Sequence, residues 1–351
     1  MNAGVTVRDV GEFGLIRALR DALPESVRTG DRLSVAIGDD AAVWTPKPGA
    51  SIVVTTDSLI EDIHFRLAPG WTDWRSLGHK ALAVNLSDLA AMGATPGLAT
   101  VSIGLRGTER VADLIDLYEG MGTLSSRWSC LIAGGDIVAS PAGFSLHITA
   151  IGELQGERIL RRDSAKPGDV VAVSGTLGAA AAGLEILQLP PDDPRRTATT
   201  ADLLVAAHLR PTPRLDLSPI LLDGGATSAM DLSDGLFGDL PKILEASDVA
   251  ARIDEASIPV AAAVRALFPD RWFHLATRGG EDYELLFTAP PDRFAAIALA
   301  ATGVRATVTP IGEIVARTAN RPRLELLRSD GTVAPITTGA FDHFSTGSTP
   351  L

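Results

Sequence analysis

The stretch Asn85-Leu-Ser-Asp-Leu-Ala-Ala-Met-Gly-Ala-Thr-Pro96 constrains this chain more than any other. It closes a run that begins near Trp74 and reads as a helix. Ala81, Leu82, Val84, Leu86, Leu89 and Ala90 put apolar or small side chains on nearly every side of Asp88. Gly93 and Pro96 stop the helix, one through a permissive backbone and the other through a missing N–H. A carboxylate on so apolar a helix costs several kcal/mol if it is buried unpaired, or is forced to keep its proton. A bound cation is the cheapest remedy. The alternative is that Asp88 faces solvent at the helix end, as charged residues mostly do.

The same combination recurs along the chain, with an acid beside Gly, Ser or Thr at the end of an apolar element. Ser34 to Trp44 reads as a strand interrupted by Gly38-Asp39-Asp40. Such residues are at home in a turn, but apolar neighbours on both sides argue against an exposed one. Ser51 to Asp57 is a strand ending in Thr55, Thr56 and Asp57, oxygen donors of the kind Mg²⁺ prefers. His64 follows and, beside such a strand, is expected to touch a ligand. Cys130 to Asp136 is strand, then Gly134 and Gly135, then a carboxylate; the glycines allow a backbone to pass close to a ligand. Asp231, Ser233 and Asp234 stand where a strand meets a helix that starts near Leu236, a place suited to phosphate or a metal–phosphate unit. Plain helix capping by Ser233 or Asp234 is the simpler account of that cluster taken alone. Gly279-Gly280 precede Glu281, Asp282 and Glu284, of which one or two are expected in solvent.

The remaining elements are ordinary. From Gly11 a short amphipathic helix carries Phe13, Ile16 and Leu19 on one side, and Val111 to Leu124 is a helix with Leu114, Leu117 and Met121 inward. Tyr118 on it reads as core packing. Ala99 to Leu105 and Phe144 to Gly152 are strands. Asp169 to Gly183 reads as strand, glycine turn and helix; Gly175-Thr-Leu-Gly178 resembles a nucleotide-binding opening only weakly. A shift to polar and basic residues from Leu154 sets the domain boundary, giving units 1–153 and 154–345. With 351 residues, each can bury a core.

Charge and composition narrow the functions. A net charge of −12 argues against nucleic acid or an anionic membrane as partner. No apolar run approaches the ~18 residues of a membrane span, and no secretory leader is evident, so a cytoplasmic location is expected. The single cysteine, Cys130, cannot form an intrachain disulfide and reads as a small buried hydrophobe. No Cys/His spacing for zinc exists. Acids gathered without counterions repel each other, and Mg²⁺ with a polyphosphate resolves that repulsion, which points to ATP chemistry. Neither a P-loop nor the protein-kinase signature set is present.

Taken in order, Gly11-Glu-Phe, Ile37-Gly-Asp-Asp-Ala, Thr55-Thr-Asp, His64-Phe, Lys80-Ala-Leu-Ala-Val-Asn-Leu-Ser-Asp-Leu-Ala-Ala-Met-Gly-Ala, Gly134-Gly-Asp, Lys166-Pro-Gly-Asp, Asp231-Leu-Ser-Asp-Gly-Leu and Gly279-Gly-Glu-Asp-Tyr-Glu-Leu resemble the thiamine-monophosphate kinase family. That family belongs to the aminoimidazole-ribonucleotide synthetase superfamily. The resemblance covers nearly the whole chain. It implies an α/β (α+β) fold of two domains: an N-terminal mixed sheet that forms a barrel across a homodimer, and a C-terminal α/β sandwich. It implies phosphoryl transfer from ATP to thiamine monophosphate with several Mg²⁺ ions. By motif, Asp40, Thr55, Thr56, Asp57, Asp88, Asp136, Asp231 and Asp234 are expected as metal ligands. Tyr118, Gly135, Asp136, Arg162 and Ser233 are expected at ATP, and His64, Glu281 and Phe341 at the thiamine substrate. Phe341 enters because Thr338 stands where some relatives have a tryptophan. No general base is implied, since the accepting phosphate oxygen is already anionic. The rival readings are another ATP-using synthetase of the superfamily, a non-catalytic metal–nucleotide sensor, and, distantly, a dinucleotide oxidoreductase resting on Gly175 and Gly178.

Overall fold

The computed structural model describes residues 4–319 and 321–336. Phe341 and Thr338 lie outside them. The chain forms two compact units. Among the described residues, one takes the chain from Gly4 to Leu89 together with Thr95–Glu157; the other takes Ala90–Ala94 and the chain from Arg158 to Ile336.

The first unit runs α1 (Val7–Ala22), α2 (Glu25–Arg28), β1 (Leu33–Val35), β2 (Val43–Trp44), β3 (Ser51–Ile60), α3 (Trp74–Ala91), β4 (Thr95–Leu105), α4 (Val111–Trp128), β5 (Leu131–Ala139) and β6 (Ser145–Leu154). Its sheet has the order β3-β6-β4-β5, antiparallel except for the parallel β4–β5 pair. Residue alternation gives the sheet an inner face, with Leu59, Leu146, Ile148, Val101 and Ile103 buried. The outer face shows Ile52, Val54 and Val138 exposed.

Helix α3 is buried on nearly all sides: Leu77, Leu82, Leu86 and Leu89 are inaccessible, and so are Asn85 and Ser87. Asp73 accepts hydrogen bonds from the N–H and Oγ of Ser76 and so closes the first turn. Two glycines let α3 lie against α4 backbone to backbone. A Cβ on Gly78 would stand 1.8 Å from the carbonyl oxygen of Leu117, and one on Gly120 would stand 2.0 Å from that of Arg75. Neither contact can be relieved by a rotamer change, so the helices would have to separate. Gly78→Ala is therefore expected to cost about 3 kcal/mol or more, read as a lower midpoint in urea with an unchanged slope. An unchanged midpoint would mean that the two helices are not so tightly apposed.

Several sequence expectations need correction here. Phe13 is 73% exposed, and the buried face of α1 is Leu15, Ala18 and Leu19; Gly11 breaks the helix with φ +65 and shifts the phase. Pro96 lies inside β4, at a bulge, rather than ending the preceding helix alone. β1 and β2 pair antiparallel, so Gly38-Asp39-Asp40 lies on the connection between them, with both acids exposed. Gly134 and Gly135 lie within β5. A Cβ on Gly135 would meet the Val101 carbonyl at 1.8 Å, so the glycine serves the approach of β4. Cys130 is buried, as expected, and burial pushes its thiol up to about 12.

The second unit runs β7 (Val170–Ser174), α5 (Ala179–Gln188), α6 (Ala201–Leu209), α7 (Ser218–Gly224), β8 (Ser228–Asp231), α8 (Leu236–Ala246), β9 (Ala250–Asp254), α9 (Ala262–Leu267), α10 (Trp272–Arg278), β10 (Leu285–Ala289), α11 (Pro291–Gly303), β11 (Val308–Val315), β12 (Leu324–Leu327) and β13 (Val333–Pro335). Its seven-stranded sheet has the order β13-β12-β9-β11-β7-β10-β8, with only β12–β9 parallel. Leu286 joins the core that α8 closes with Phe237, Leu240, Ile243 and Leu244. Its neighbour Phe287 points to the opposite face and stacks on Phe294 of α11 at 6.4 Å. Helices thus cover both faces, which explains why β10 is buried at every position. A second cluster, with Ile186, Leu204, Val264 and Leu275, joins α5, α6, α9 and α10. Among the described residues, no helix is long and apolar enough to cross a membrane.

Candidate active site

Alternation along β3 puts Thr55 and Asp57 on the inner face, opposite Ala150 and Ile148 of β6. Thr55 Oγ1 donates to Asp88 Oδ2, which ties the strand to α3. Burial, and next the charge of Asp88, pushes the Asp57 carboxyl up to about 6. Two acids that disfavour each other's charge, flanked by a hydroxyl, form an oxygen-only donor set that fits a hard divalent cation such as Mg²⁺. His64 accepts the Ile60 N–H at Nδ1, 3.1 Å, which leaves Nε2 as the protonated nitrogen of the neutral ring.

Register separates other expected ligands from this set. Thr56 points to the outer face, where its hydroxyl donates to the Ile148 carbonyl at 3.1 Å. Asp136 lies in the cross-strand row Ser58, His147, Ser102, Asp136, and is exposed there. That row belongs to the face opposite Asp57. Asp40 is exposed on the β1–β2 connection. Among the described residues, no group of three or more His, Cys, Asp or Glu stands together as a ready metal cluster. Tyr118 is 6% exposed, and burial raises its hydroxyl, so it offers little surface to a nucleotide.

In the second unit, Asp231 ends β8, nearly buried, and the chain turns through Gly235, φ +84, into α8. Neither Ser233 nor Asp234 caps that helix. Instead Asp239 Oδ2 accepts the Asp234 N–H at 2.8 Å, and Lys242 Nζ bonds both Asp234 Oδ2 at 2.7 Å and Asp239 Oδ1 at 2.8 Å. Burial pushes Asp239 up, while Lys242 pulls the other way. Arg162 has an exposed side chain, and its carbonyl accepts from Ser247 Oγ at 2.8 Å.

The 279–284 loop zips onto this turn: Glu281 N–H donates to Ser233 O, and Tyr283 N–H to Leu232 O, each at 2.9 Å. A Cβ on Gly280 would meet the Ser233 carbonyl at 2.3 Å, so the close pairing requires glycine. Of the three acids, Glu281 keeps 27% of its side chain exposed, in line with the expectation that one or two face solvent, while Asp282 and Glu284 are held by partners. Asp282 accepts N–H bonds from Gly178 at 2.7 Å and Ala180 at 3.1 Å. Burial pushes it up to about 7, against those two bonds. Glu284 accepts from Ser174 Oγ and, at 2.7 Å, from Arg214 Nε. Glu281 Oε2 lies 3.0 Å from His208 Nδ1. The start of α5, the one feature behind the dinucleotide reading, is thus already filled by a carboxylate of this chain.

Lys242, Asp239 and His208 were missed by sequence reasoning. The first two stand three residues apart on a helix, a spacing that pairs charges and could have been read. His208 is 73 positions from Glu281, since 281 − 208 = 73, and nothing local marks it.

Comparison with known proteins places this architecture. Models of the AIR synthase related protein family match it twice, the N-terminal domain over residues 38–154 and the C-terminal domain over 166–325. The thiamine-monophosphate kinase of Bacillus subtilis (strain 168) is 32% identical over 333 residues, 95% of this chain and 99% of that one. A crystal structure of thiamine-monophosphate kinase from Stenotrophomonas maltophilia K279a is 37% identical with a TM-score of 0.79, covering 90% of this chain and 97% of its own. AaThiL complexed with AMPPCP and TMP is 30% identical with a TM-score of 0.74, covering 96% and 98%. The chain belongs to the thiamine-monophosphate kinase family.

Proposed function

We propose that this chain transfers the terminal phosphoryl group of ATP to thiamine monophosphate, giving thiamine diphosphate and ADP. The observation that carries the reading is the near full-length likeness to AaThiL, whose complex holds AMPPCP and TMP. AMPPCP is an ATP analogue, and thiamine monophosphate is the substrate in the family's name. The acceptor is a phosphate oxygen, anionic at neutral pH, so no side chain has to remove a proton. The residues act by positioning and by charge. Thr55, Asp57 and Asp88 would hold Mg²⁺ within the first unit, and Asp231 and Asp234 would hold Mg²⁺ within the second. When bound, Mg²⁺ supplies neutralisation of the phosphate charge. Ser233, Gly135 and Arg162 belong to the ATP side of the reading, and His64 and Glu281 to the thiamine side.

The reading includes a homodimer in which the two four-stranded sheets join into one barrel. In its favour, the outer face carries Ile52, Val54 and Val138 at 46%, 61% and 51% exposure, an apolar surface a partner would cover. Thr56 and Asp136 lie on that same face, so a role for them at a metal depends on that second copy. The division into an N-terminal ATP/metal domain, 1–153, and a C-terminal α/β domain, 154–345, and a cytoplasmic location belong to the same reading. The ends of the two family models, at 154 and 166, support the division.

The test is ATP turnover with Mg²⁺, with and without thiamine monophosphate, following thiamine diphosphate. Product that requires all three components is expected. ATP binding without thiamine diphosphate would redirect the assignment to another synthetase of the superfamily.

A further inference from the structure

The three acids of the 279–284 loop are used differently. Asp282 holds the start of α5, and Glu284 is held by Ser174 and Arg214. Glu281 keeps 27% of its side chain exposed, and its backbone sits at φ +68, a conformation that non-glycine residues adopt only where the surroundings impose it. The bond from its N–H to Ser233 O is part of that imposition. Its carboxylate is approached at 3.0 Å by Nδ1 of His208, a side chain only 4% exposed. The two groups stand at ion-pair distance, and the pair is charged when the imidazole carries its second proton.

His208 is itself well anchored. It stands in the last turn of α6. α6 lies against α5 with so little space that a Cβ on Gly183 would meet the Leu204 carbonyl oxygen at 2.1 Å. The imidazole is thus carried by a rigid helix pair, and it reaches a flexible acid on a strained loop. An unrestrained Glu side chain loses rotamer freedom when a ligand fixes it. A buried neighbour that fixes it beforehand removes much of that cost.

We infer that His208 is a positioning residue for substrate recognition: by holding Oε2 of Glu281 it leaves the carboxylate pre-oriented toward the cationic thiazolium or the aminopyrimidine of thiamine monophosphate. This rests on the proposed kinase reading and on Glu281 belonging to the thiamine side. His208 does not touch the reacting phosphates. Its loss therefore acts on binding of one substrate and leaves the other alone.

The experiment measures kcat, KM for thiamine monophosphate, KM for ATP and thermal stability for the wild type, His208→Leu, His208→Asn, Glu281→Gln and the double variant His208→Leu/Glu281→Gln. The expected result is a KM for thiamine monophosphate raised about tenfold in His208→Leu, with kcat and KM for ATP within about twofold. His208→Asn, whose amide N–H can stand where Nδ1 stands, recovers part of the loss. In the Glu281→Gln background, His208→Leu adds little, because the two changes act through one contact. An unchanged KM for thiamine monophosphate in folded His208→Leu overturns the inference. So do additive effects in the double variant, or a loss spread equally over both substrates and kcat. If His208→Leu does not fold, His208→Gln, whose amide nitrogen takes the place of Nε2 and not of Nδ1, and its own double with Glu281→Gln give the same readout. A wild type that makes no thiamine diphosphate overturns the kinase reading itself, an outcome distinct from normal turnover with an indifferent His208.

Discussion

Asp57→Asn is expected to lower Mg²⁺-dependent turnover by about 10²–10³-fold while making the metal-free protein more stable. The two effects have one cause. Asp57 and Asp88 share the inner side of the first unit, and burial together with the Asp88 charge lifts Asp57 to about 6. The folded value lies above the unfolded one, near 3.9. The favourable contribution of the protonated group is therefore fully present below about pH 4 and is lost as pH rises through about 6. At neutral pH the metal-free protein carries a penalty of roughly 1–3 kcal/mol, the upper figure being the whole shift at 1.36 kcal/mol per unit. Asparagine keeps the shape and cannot ionise. In EDTA, the stability gap between variant and wild type should open between about pH 4 and pH 7 in favour of the variant. Added Mg²⁺ should reverse the order, since only the wild type gains binding energy there. Equal turnover, or a metal-free variant less stable than the wild type at pH 7.5, would remove Asp57 from the ligand set. Such a trade of stability for function is common where charge is concentrated for a ligand.

What the sequence could show depended on whether periodicity or register carried the information. Helix α3 was legible because its apolar residues fill every side, which only a buried helix tolerates. The alternation of Phe144, Leu146, Ile148 and Ala150 likewise showed which side of β6 is buried. Thr55 and Asp57, two apart on a strand, could be placed on one face by the same rule, and Thr56 on the other. Asp136 could not. Its face follows from pairing with Ser102, and a bulge at Ala99–Thr100 shifts that register by one, which no pattern within β5 reveals. Gly135 looked like room for a ligand but serves the Val101 carbonyl. The acids of the 279–284 loop looked too many to be buried, because their partners, His208, Arg214 and the start of α5, come from distant parts of the chain. Local reading prices a charge by its neighbours in sequence, whereas the fold prices it by its neighbours in space.

Lys242→Met is expected to destabilise the metal-free protein by about 2–3 kcal/mol, lowering its melting temperature by roughly 5–10 °C. Lys242 bridges Asp234 and Asp239, whose side chains are 26% and 0% exposed. Without the ammonium, Asp239 keeps the Asp234 N–H bond but has lost its countercharge in a site that burial already makes unfavourable. Removing one partner of such a pair costs far more than the intact pair contributes, because the other charge is left behind. The lower part of the usual range applies, since Lys242 is itself one-third exposed. Replacing both members, Lys242→Met with Asp239→Leu, should recover much of the loss. A double variant as unstable as the single would show that packing of the lysine stem, and not charge, was responsible. Mg²⁺ adds a second reading. Asp234 is proposed as a ligand, and in the metal-free chain its carboxylate already holds a positive group supplied by the next turn of helix. Lys242→Met should therefore regain stability on addition of Mg²⁺ more steeply than the wild type does. A response to Mg²⁺ no larger than the wild type's would mean that the ammonium and the ion do not compete for Asp234.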